Sequence, residues 1–320
     1  MDHSSLNLVE LEGIQLLRKR IRSAEIPSSS LDESLNLCTR NIRHWGQKNR
    51  MRFSLHCIAE IFFQFDLIAV TELWRDISEL KYVLDLLGPY WKGEFLDYTS
   101  DPGGNRERIA FVYDSRAVKF TGLAAESDGP RYKGPCTGEW VPHFNWWRKP
   151  YMASFKAGQF DFVLLAVHLQ WGTTVGRKKE LSQLAAWINS FQKDEYRIDR
   201  DVIALGDFNI TSYRSALYKA VSQYGLSAPE SILTLKLGSN LRKNKRYDQI
   251  LHHPTITGSV FSKHGGVVDF YKSNHKALKP YKDLDKNAFT FELSDHLPLW
   301  VQLNLDTEDE QLDQLISGRK

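Results

Sequence analysis

Side chains that can bind a metal ion or transfer a proton stand where apolar segments of this sequence end. One such position would be uninformative, because strand ends are exposed to water, but five occur along the chain. In layered α/β folds, strand ends are where ligands bind. The five positions are Asn41 at the end of the first apolar segment, Glu72 after 66–70, His168 after 162–167, Asp207 with Asn209 after 202–205, and Asp295 with His296 before 297–305.

These residue types suit the hydrolysis of a phosphate ester. Carboxylate and amide oxygens are hard ligands for Mg²⁺ or Mn²⁺, and no Cys or His pair has the spacing of a zinc site. Asp207 and Asn209 stand two residues apart, so on an extended backbone both point the same way, one to orient a water and the other to donate to a developing oxyanion. His168 and His296 can act as acid and base, or stabilise phosphate charge, if a carboxylate fixes the tautomer of each ring. A divalent cation, an oriented water and two imidazoles together describe this hydrolysis.

Apolar strands that alternate with amphipathic helices must position these side chains. Several strands are continuously apolar, which is typical of strands covered on both faces. Leu55, Ile58 and Phe62 illustrate the helical spacing of the segments between them. This order predicts packed sheets with helices outside. The predicted strands are 35–42, 66–72, 108–113, 151–157, 161–169, 202–206, 247–252 and 297–305, and the predicted helices are 6–22 and the segments near 55–65, 77–87 and 181–191.

Composition excludes several classes of protein. The chain has 320 residues, of which 42% are apolar and 25% charged, so it is neither disordered nor fibrous. No segment reaches about 18 consecutive apolar residues, so no transmembrane helix is expected, and the N-terminus lacks the pattern of a secretory signal. Three cysteines, Cys38, Cys57 and Cys136, are too few and too scattered for a disulfide framework. We therefore expect a reduced, cytoplasmic location and no contact with a membrane.

Charge is distributed unevenly along the chain. Residues 1–34 carry a net charge of −2 and residues 306–320 one of −3, which leaves +8 for 35–305 within an overall charge of +3. A basic body suits a polyanion such as nucleic acid, although an ordinary solvated surface accounts for it equally well. We predict an N-terminal helical extension with a linker (1–34), one main domain (35–305) and an acidic C-terminal tail (306–320). The extension could pack on the body or bind a protein partner, and the sequence indicates no oligomeric state.

Seven motifs occur in an order that resembles the exonuclease–endonuclease–phosphatase superfamily, which has the fold of deoxyribonuclease I. Together they cover nearly all of 35–305, and Gly-Asp-Phe-Asn at 206–209 and Ser-Asp-His-Leu-Pro at 294–298 are the most specific. The segments 104–108 and 293–300 are similar to a bacterial nuclease-like branch. The resemblance implies a four-layer α/β/β/α sandwich, in which two mixed β-sheets pack face to face with helices outside. The motifs lie at 40–43, 71–72, 107–111, 168, 206–209, 247–250 and 294–298.

The resemblance also implies a metal site and a group that activates water. In the family pattern, Asn41 and Glu72 hold Mg²⁺ or Mn²⁺, joined by Asp295. Asp207 positions or deprotonates the attacking water. Asn209 helps to stabilise the transition state.

Two histidines and several arginines complete the site that the resemblance implies. His296 is oriented by Asp248, and His168 by Glu107. Arg148 matches an arginine that contacts phosphate in the deoxyribonuclease I branch, and a bidentate guanidinium suits a scissile phosphate. The predicted substrate-binding residues are Arg43, Arg108 and Arg148.

The substrate class follows from what surrounds these motifs. Inositol-phosphatase members carry Pro-Ala-Trp-x-Asp-Arg where this chain has Arg-Tyr-Asp-Gln at 246–249, and no hydrophobic loop suggests membrane docking. Basic residues interleave with tryptophans near the motifs, which suits phosphate tracking and base stacking, although tryptophans also pack cores and rims. The tryptophans concerned are Trp45, Trp74, Trp146, Trp147 and Trp171.

We therefore predict a divalent-metal-dependent nuclease that cuts DNA with little sequence specificity. Two alternatives stay open. One is a phosphatase or phosphodiesterase that acts on RNA or on a small phosphorylated metabolite. The other is a non-catalytic binding module, which would be expected to lack one of the carboxylates or histidines that this chain retains.

Overall fold

Two mixed β-sheets form the body of the protein in the computed structural model, which describes residues 1–98, 106–135, 138–306 and 316. The motif positions Gly104 and Asn105, Cys136, and the acidic tail beyond Asp306 apart from residue 316 lie outside the described residues. The strands are β1 (Ser34–Trp45), β2 (Leu67–Trp74), β3 (Trp91–Phe95), β4 (Glu107–Asp114), β5 (Lys119–Glu126), β6 (Arg131–Lys133), β7 (Trp140–Pro142), β8 (Tyr151–Ala157), β9 (Phe160–His168), β10 (Val202–Asp207), β11 (Asp248–Leu251), β12 (Phe261–Val267) and β13 (Leu299–Asn304).

The two sheets pack face to face. The first has the strand order β12-β13-β1-β2-β4-β3 and the second the order β11-β10-β9-β8-β5. The pairs β1–β2 and β9–β10 are parallel, whereas the other pairs are antiparallel. The central strands β1 and β2 face β9 and β10, and their side chains are buried almost throughout. This burial on both faces explains why these four strands are so apolar.

Helices complete the layers, and the predicted α/β/β/α sandwich is confirmed. Helix α1 packs on α2, α2 on α3, and α3 on the edge strand β3, whereas α4 follows β9 and packs on α5. No helix among the described residues is long and apolar enough to cross a membrane. The helices are α1 (Leu8–Arg22), α2 (Arg52–Phe62), α3 (Ser78–Leu87), α4 (Thr174–Lys193), α5 (Ala216–Val221), α6 (Glu230–Leu233), α7 (Pro254–Thr257) and α8 (Lys286–Glu292).

All eight predicted strands are present, but five further strands escaped the sequence pattern. Three of them, β3, β5 and β12, stand at sheet edges, and β6 pairs with β7 in a separate two-stranded sheet. These three edge strands are half-exposed and carry charged residues and glycines, as in the Phe-Ser-Lys-His-Gly-Gly-Val sequence of β12. Such sequences lack the apolar run by which the central strands are recognised.

Strands β1 and β2 do not end at the predicted site residues. Both continue beyond them, to Trp45 and Trp74, with a shift of pairing register after Asn41 and between Val70 and Leu73. Glu72 itself has a positive φ of 63°. Bulges of this kind re-aim a side chain and are frequent beside active sites. The bulged backbone therefore directs Asn41 and Glu72 toward the space between the sheets.

The N-terminal helix α1 packs on the body. It begins with a capping box between Asn7 and Glu10, and its apolar face buries Leu17 and Ile21 against α2 and the short turn Lys279–Tyr281. Near its end, the buried guanidinium of Arg20 donates hydrogen bonds to the carbonyls of Phe270, Tyr271 and Asn274.

A polar cluster fastens the same segment to α2. We call His3, Arg18, His56 and Glu60 the N-terminal cluster. Arg18 donates two hydrogen bonds of 2.7 Å to the Glu60 carboxylate, which also binds the Nε2 atom of His3 at 2.7 Å. The Nδ1 atoms of His3 and His56 lie 2.8 Å apart, so one ring donates to the other. The extension is thus joined to the body by both apolar and ionic contacts.

Candidate active site

Asp207 lies at the centre of the predicted site residues, at the carboxyl end of β10. It is buried, and its Oδ2 atom lies 3.2 Å from the Asn41 amide nitrogen, 3.8 Å from His168 Nε2 and 3.9 Å from His296 Nε2. The two imidazoles are too distant for direct hydrogen bonds to this oxygen, but they are close enough for one water or ligand oxygen that lies to one side to contact all three groups. Asp207 Oδ2 and the two Nε2 atoms therefore converge on one point.

Asn41 joins the two sheets at this point. Its side-chain nitrogen donates to Glu72 Oε1 at 2.8 Å and to Asp207 Oδ2, which belong to different sheets. The Glu72 carboxylate also accepts the backbone N–H of His44 at 3.0 Å. The Asn41 Oδ1 atom is buried and has no hydrogen-bond partner among the described residues. An unpartnered buried amide oxygen and an ionised carboxylate are oxygen ligands of the kind that a hard divalent cation takes.

Each histidine has a carboxylate behind it. The Nδ1 atom of His296 binds Asp248 Oδ2 at 2.8 Å, and the Nδ1 atom of His168 lies 3.1 Å from Glu107 Oε2. Strand pairing places His168 of β9 and Asp248 of β11 on either side of Asp207, whereas Glu107 comes from β4 of the other sheet and His296 from the segment before β13. The Nε2 atom of each ring is thereby directed toward Asp207.

Burial and mutual charge set the protonation of these groups. Burial alone would raise the pKa of Glu72, but His168 and the hydrogen bonds from Asn41 and from the His44 amide lower it to about 2. Burial raises the pKa of Asp207 against the opposing effect of His296, and Asp248 adds to the increase.

Burial and neighbouring charges of opposite sign shift the pKa of His296 in the directions opposite to those in which they shift the pKa values of the carboxylates. Burial disfavours its imidazolium form, but Asp248 and Asp207 outweigh that effect and hold the pKa of His296 well above its ordinary value. The site therefore combines one firmly ionised carboxylate, Glu72, with a second carboxylate, Asp207, that competes for protons with the imidazole of His296.

Asn209 and Asp295 differ from their predicted placements. Strand β10 ends at Asp207, and Asn209 has a positive φ of 53°, so the two side chains are not related by extended alternation. The backbone N–H of Asn209 donates to Asp207 Oδ1 and fixes that carboxylate, whereas its side chain donates to the Leu169 carbonyl and ties the segment after β10 to the one after β9. Asp295 is half-buried and precedes His296, but it does not belong to the group of close metal-ligating side chains found among the described residues.

The group of close metal-ligating side chains includes His44, which the sequence did not indicate. His44, Glu72 and Glu107 each have a ligand atom within 4.8 Å of the other two. Glu107 is already paired with His168, and the Trp74 indole donates to His44 Nδ1 at 3.2 Å. His44 reaches Glu72 through its own positive φ of 47°, a local turn that no spacing rule reveals.

Three predicted substrate-binding arginines are engaged with the protein itself. The Nε atom of Arg148 lies 2.9 Å from Glu107 Oε2, so Arg148 supports the carboxylate behind His168. Arg108 is buried and donates to the carbonyls of Trp74 and Arg75. Direct contact of Arg108 with a substrate would require these bonds to open.

Arg43 is held against α8, whose Phe291 stacks on His44, the neighbour of Glu72. It donates to Asn287 Oδ1 at 2.9 Å and to the Thr290 hydroxyl, and its guanidinium lies 4.1 Å from the ring centre of Phe291. Lys48 lies over the same ring at 5.3 Å. These two cations form a basic patch on the side of the six-stranded sheet.

The tryptophans near the motifs divide into core and surface residues. Trp45 is fully buried against Phe62 and Trp146 packs on Phe144, whereas Trp74 is half-buried beside His44. Trp147 and Trp171 are 57% and 63% exposed. Base stacking, as predicted from the sequence, is therefore excluded for Trp45 and geometrically open to the two exposed rings.

Known structures share this architecture. No family model matches the sequence, and no curated protein matches it. TDP2 from D. rerio, in a complex with a single-stranded DNA product, is 17% identical, with 85% of this chain and 99% of that chain covered and a TM-score of 0.57. An endonuclease/exonuclease/phosphatase from Bacteroides vulgatus is 15% identical (85% and 99% covered, TM-score 0.56). A mannosyl-6-phosphatase from Bacteroides thetaiotaomicron is 16% identical (84% and 99% covered, TM-score 0.54).

The chain thus has the fold of the endonuclease/exonuclease/phosphatase proteins, and the resemblance stated from its motifs is confirmed at the level of the fold. The names of the similar structures do not point to one activity, since one is called an endonuclease/exonuclease/phosphatase and another a mannosyl-6-phosphatase. Substrate and chemistry must therefore be argued from the residues of this chain.

Proposed function

We propose that this protein is a divalent-metal-dependent phosphodiesterase that cleaves nucleic acid, with DNA as the favoured substrate. One observation carries the proposal: two imidazoles, each backed by a carboxylate, converge on Asp207 beside the oxygen donors of Asn41 and Glu72. The convergence of all these groups also argues against a binding module that has lost its chemistry.

In this proposal Asp207 orients the attacking water and accepts its proton. Its second oxygen is fixed by the Asn209 backbone N–H, so the water meets the remaining oxygen, Oδ2. His296, held by Asp248 and kept readily protonated by the surrounding carboxylates, donates a hydrogen bond to a phosphoryl oxygen. His168 approaches the same phosphate from β9 and is supported by the pair of Glu107 with Arg148.

Asn41 and Glu72 are the residues that would hold Mg²⁺ or Mn²⁺. The buried Asn41 Oδ1 atom and the ionised Glu72 carboxylate fit a hard cation. When bound there, the cation supplies positive charge to a phosphoryl oxygen. Asp295 remains a proposed additional ligand that would act from the adjoining loop.

Nucleic acid is favoured by the charge and surface of the body. The segment 35–305 carries +8, and the patch of Arg43 and Lys48 lies over Phe291, which stacks on His44, the neighbour of Glu72. The similar TDP2 structure contains DNA. A phosphatase that acts on a small phosphate monoester is the second candidate, because a mannosyl-6-phosphatase is equally similar in fold.

The test compares phosphate diesters with monoesters. Purified protein is incubated with supercoiled plasmid, linear DNA, RNA, mononucleotides and mannose 6-phosphate, with Mg²⁺ or with EDTA. We expect cleavage of DNA that requires the cation and no release of inorganic phosphate from the monoesters. Release of phosphate from monoesters with intact DNA would establish the phosphatase instead, and full activity in EDTA would contradict the metal site.

A further inference from the structure

An exposed tryptophan adjoins the candidate active site. Trp171 is 63% exposed, and its ring meets Tyr247 edge-on at 5.5 Å between ring centres. Tyr247 in turn lies 5.7 Å from the His296 ring. A continuous aromatic wall therefore leads from the candidate catalytic imidazole to the surface. Exposed aromatic area beside a polar site marks a binding surface.

Two contacts hold this wall in place. The guanidinium of Arg177 lies 5.4 Å from the Trp171 ring centre and donates at 2.9 Å to the carbonyl of Asn209. This cation covers part of the indole and connects it to the segment that fixes Asp207.

The loop between β9 and α4, which carries Trp171, is also held by Glu180 of α4. The buried Glu180 carboxylate on α4 accepts the backbone N–H of Gln170 at 3.2 Å and that of Trp147 at 3.0 Å. Helix α4 begins three residues after Trp171, at Thr174, and the Thr173 side chain caps it. A held ring loses little conformational freedom when a ligand stacks on it, so the wall is suited to binding.

On the side of the six-stranded sheet, two cations lie near the site. Arg43 and Lys48 stand there on and after β1 of the six-stranded sheet, whereas Trp171 follows β9 of the five-stranded sheet. A sugar phosphate monoester has neither a base to stack on the ring nor a second phosphate for these cations. A nucleotide chain that crosses the seam between the sheets uses both, with a base at one side and a neighbouring phosphate at the other.

We propose that Trp171, supported by Tyr247, stacks on the nucleobase next to the scissile phosphate, so that the site selects nucleotide chains over other phosphate esters. This inference rests on the proposed function and specifies its substrate class.

The experiment measures preference for bases rather than overall activity. The substrates are a short single-stranded oligodeoxynucleotide and an oligonucleotide of the same length whose bases are replaced by tetrahydrofuran spacers, which leaves the phosphodiester charge unchanged. The ratio of the two kcat/KM values is determined with Mg²⁺ for the wild type, W171A and W171F. W140A is the matched control, because Trp140 is 62% exposed but lies in the separate sheet of β6 and β7.

We expect the wild type to prefer the base-containing strand, and W171A to lose about 5-fold or more of that preference, as for one stacked base. W171F should keep most of it, and W140A all of it. A partial folding defect would lower both rates together and leave the ratio unchanged.

Two failures are distinguishable. Absence of cleavage of both strands by the wild type would overturn the proposed function, and the stacking inference with it. Cleavage of both strands with equal efficiency, or an unchanged ratio in W171A, would overturn the stacking inference alone. A rise in the KM for mannose 6-phosphate in W171A, with no change of the oligonucleotide ratio, would assign the ring to a sugar.

Discussion

The candidate active site and the N-terminal cluster use the same residue types in opposite electrostatic settings. In the N-terminal cluster, one carboxylate, Glu60, meets a guanidinium and two imidazoles. Burial lowers the pKa of His56 to about 4, and the neighbouring His3 adds to the effect. In the candidate site, four carboxylates share two imidazoles and the guanidinium of Arg148, and the pKa of His296 is raised.

This difference shows which contacts between histidine and carboxylate indicate chemistry. The N-terminal cluster is internally compensated, so it needs no further ion and its role is to hold α1 on the body. The candidate site has more buried carboxylate than positive charge, together with the unpartnered oxygen of Asn41. Excess negative charge in a water-poor space is costly unless a cation joins it. Four experiments test this contrast, in order of decreasing expected effect.

The largest effect is expected for Asp207→Asn. The variant loses the group that orients the water, so turnover should fall by at least ~10²-fold. Folding stability without metal should stay constant or rise, because Asp207 and Asp248 no longer repel each other when buried. Turnover is measured with the cleaved substrate and stability by urea unfolding. Asp201→Asn, just before the other end of β10, is the control and should keep wild-type turnover. Near-normal turnover in Asp207→Asn would reject its role.

The second experiment removes the ionised carboxylate of the proposed metal site. Mg²⁺ at about 100 times its Kd should stabilise the wild type by ~2.7 kcal/mol, and Glu72→Gln should lose most of this gain. Unfolding is followed with and without Mg²⁺. Glu60→Gln, in the compensated cluster, should retain the full gain. Equal stabilisation of Glu72→Gln and the wild type would place the cation elsewhere.

The third experiment breaks the N-terminal cluster. Glu60→Gln leaves Arg18 and His3 without their ionic partner, so the free energy of unfolding should fall by about 1–3 kcal/mol. Turnover should not change, since the cluster is separate from the site. Glu12→Gln, which removes only the exposed pair with Lys279, should cost about 0–1 kcal/mol. A loss of turnover in Glu60→Gln would show that the two regions are coupled.

At neutral pH the smallest effect is expected from His56, because its contribution to stability changes only on acidification. The pKa of His56 is about 4 in the folded protein, below its ordinary value of 6.5, so the unfolded chain binds the extra proton more readily. The contribution of His56 to stability is therefore complete above pH 6.5 and declines as the pH falls toward 4. His56→Gln should flatten this part of the pH profile of urea unfolding. Identical slopes for wild type and variant would contradict this assignment.

The sequence was sufficient for the centre of the molecule and insufficient for its periphery. The central strands are continuously apolar because both of their faces are covered, so their apolar runs were enough to predict them. The pairs of His296 with Asp248 and of His168 with Glu107 followed from the family motifs, and the structure brings each pair into contact. Their catalytic roles stay predictions.

The arginines show why the rest could not be predicted. A long side chain on a strand can extend in several directions, and its tertiary neighbours decide which one it takes. Arg108 is drawn to the Trp74 and Arg75 carbonyls and Arg43 to α8, whereas Arg148 meets Glu107 from a segment 41 residues away. The bulges at Asn41 and Glu72 could not be predicted either, because local spacing does not report a shift of strand register.

The position of α1 has a consequence for the synthesis of the protein. This helix is synthesised well before some of its partners, because the carbonyls that Arg20 binds belong to residues 270–274 and its apolar face also packs on the turn Lys279–Tyr281. Until that later segment has been translated, the apolar face of α1 has α2 but not the turn to pack on. Nascent chains that stop before that point carry a partly covered amphipathic helix, and chaperones that bind such surfaces would act at this stage.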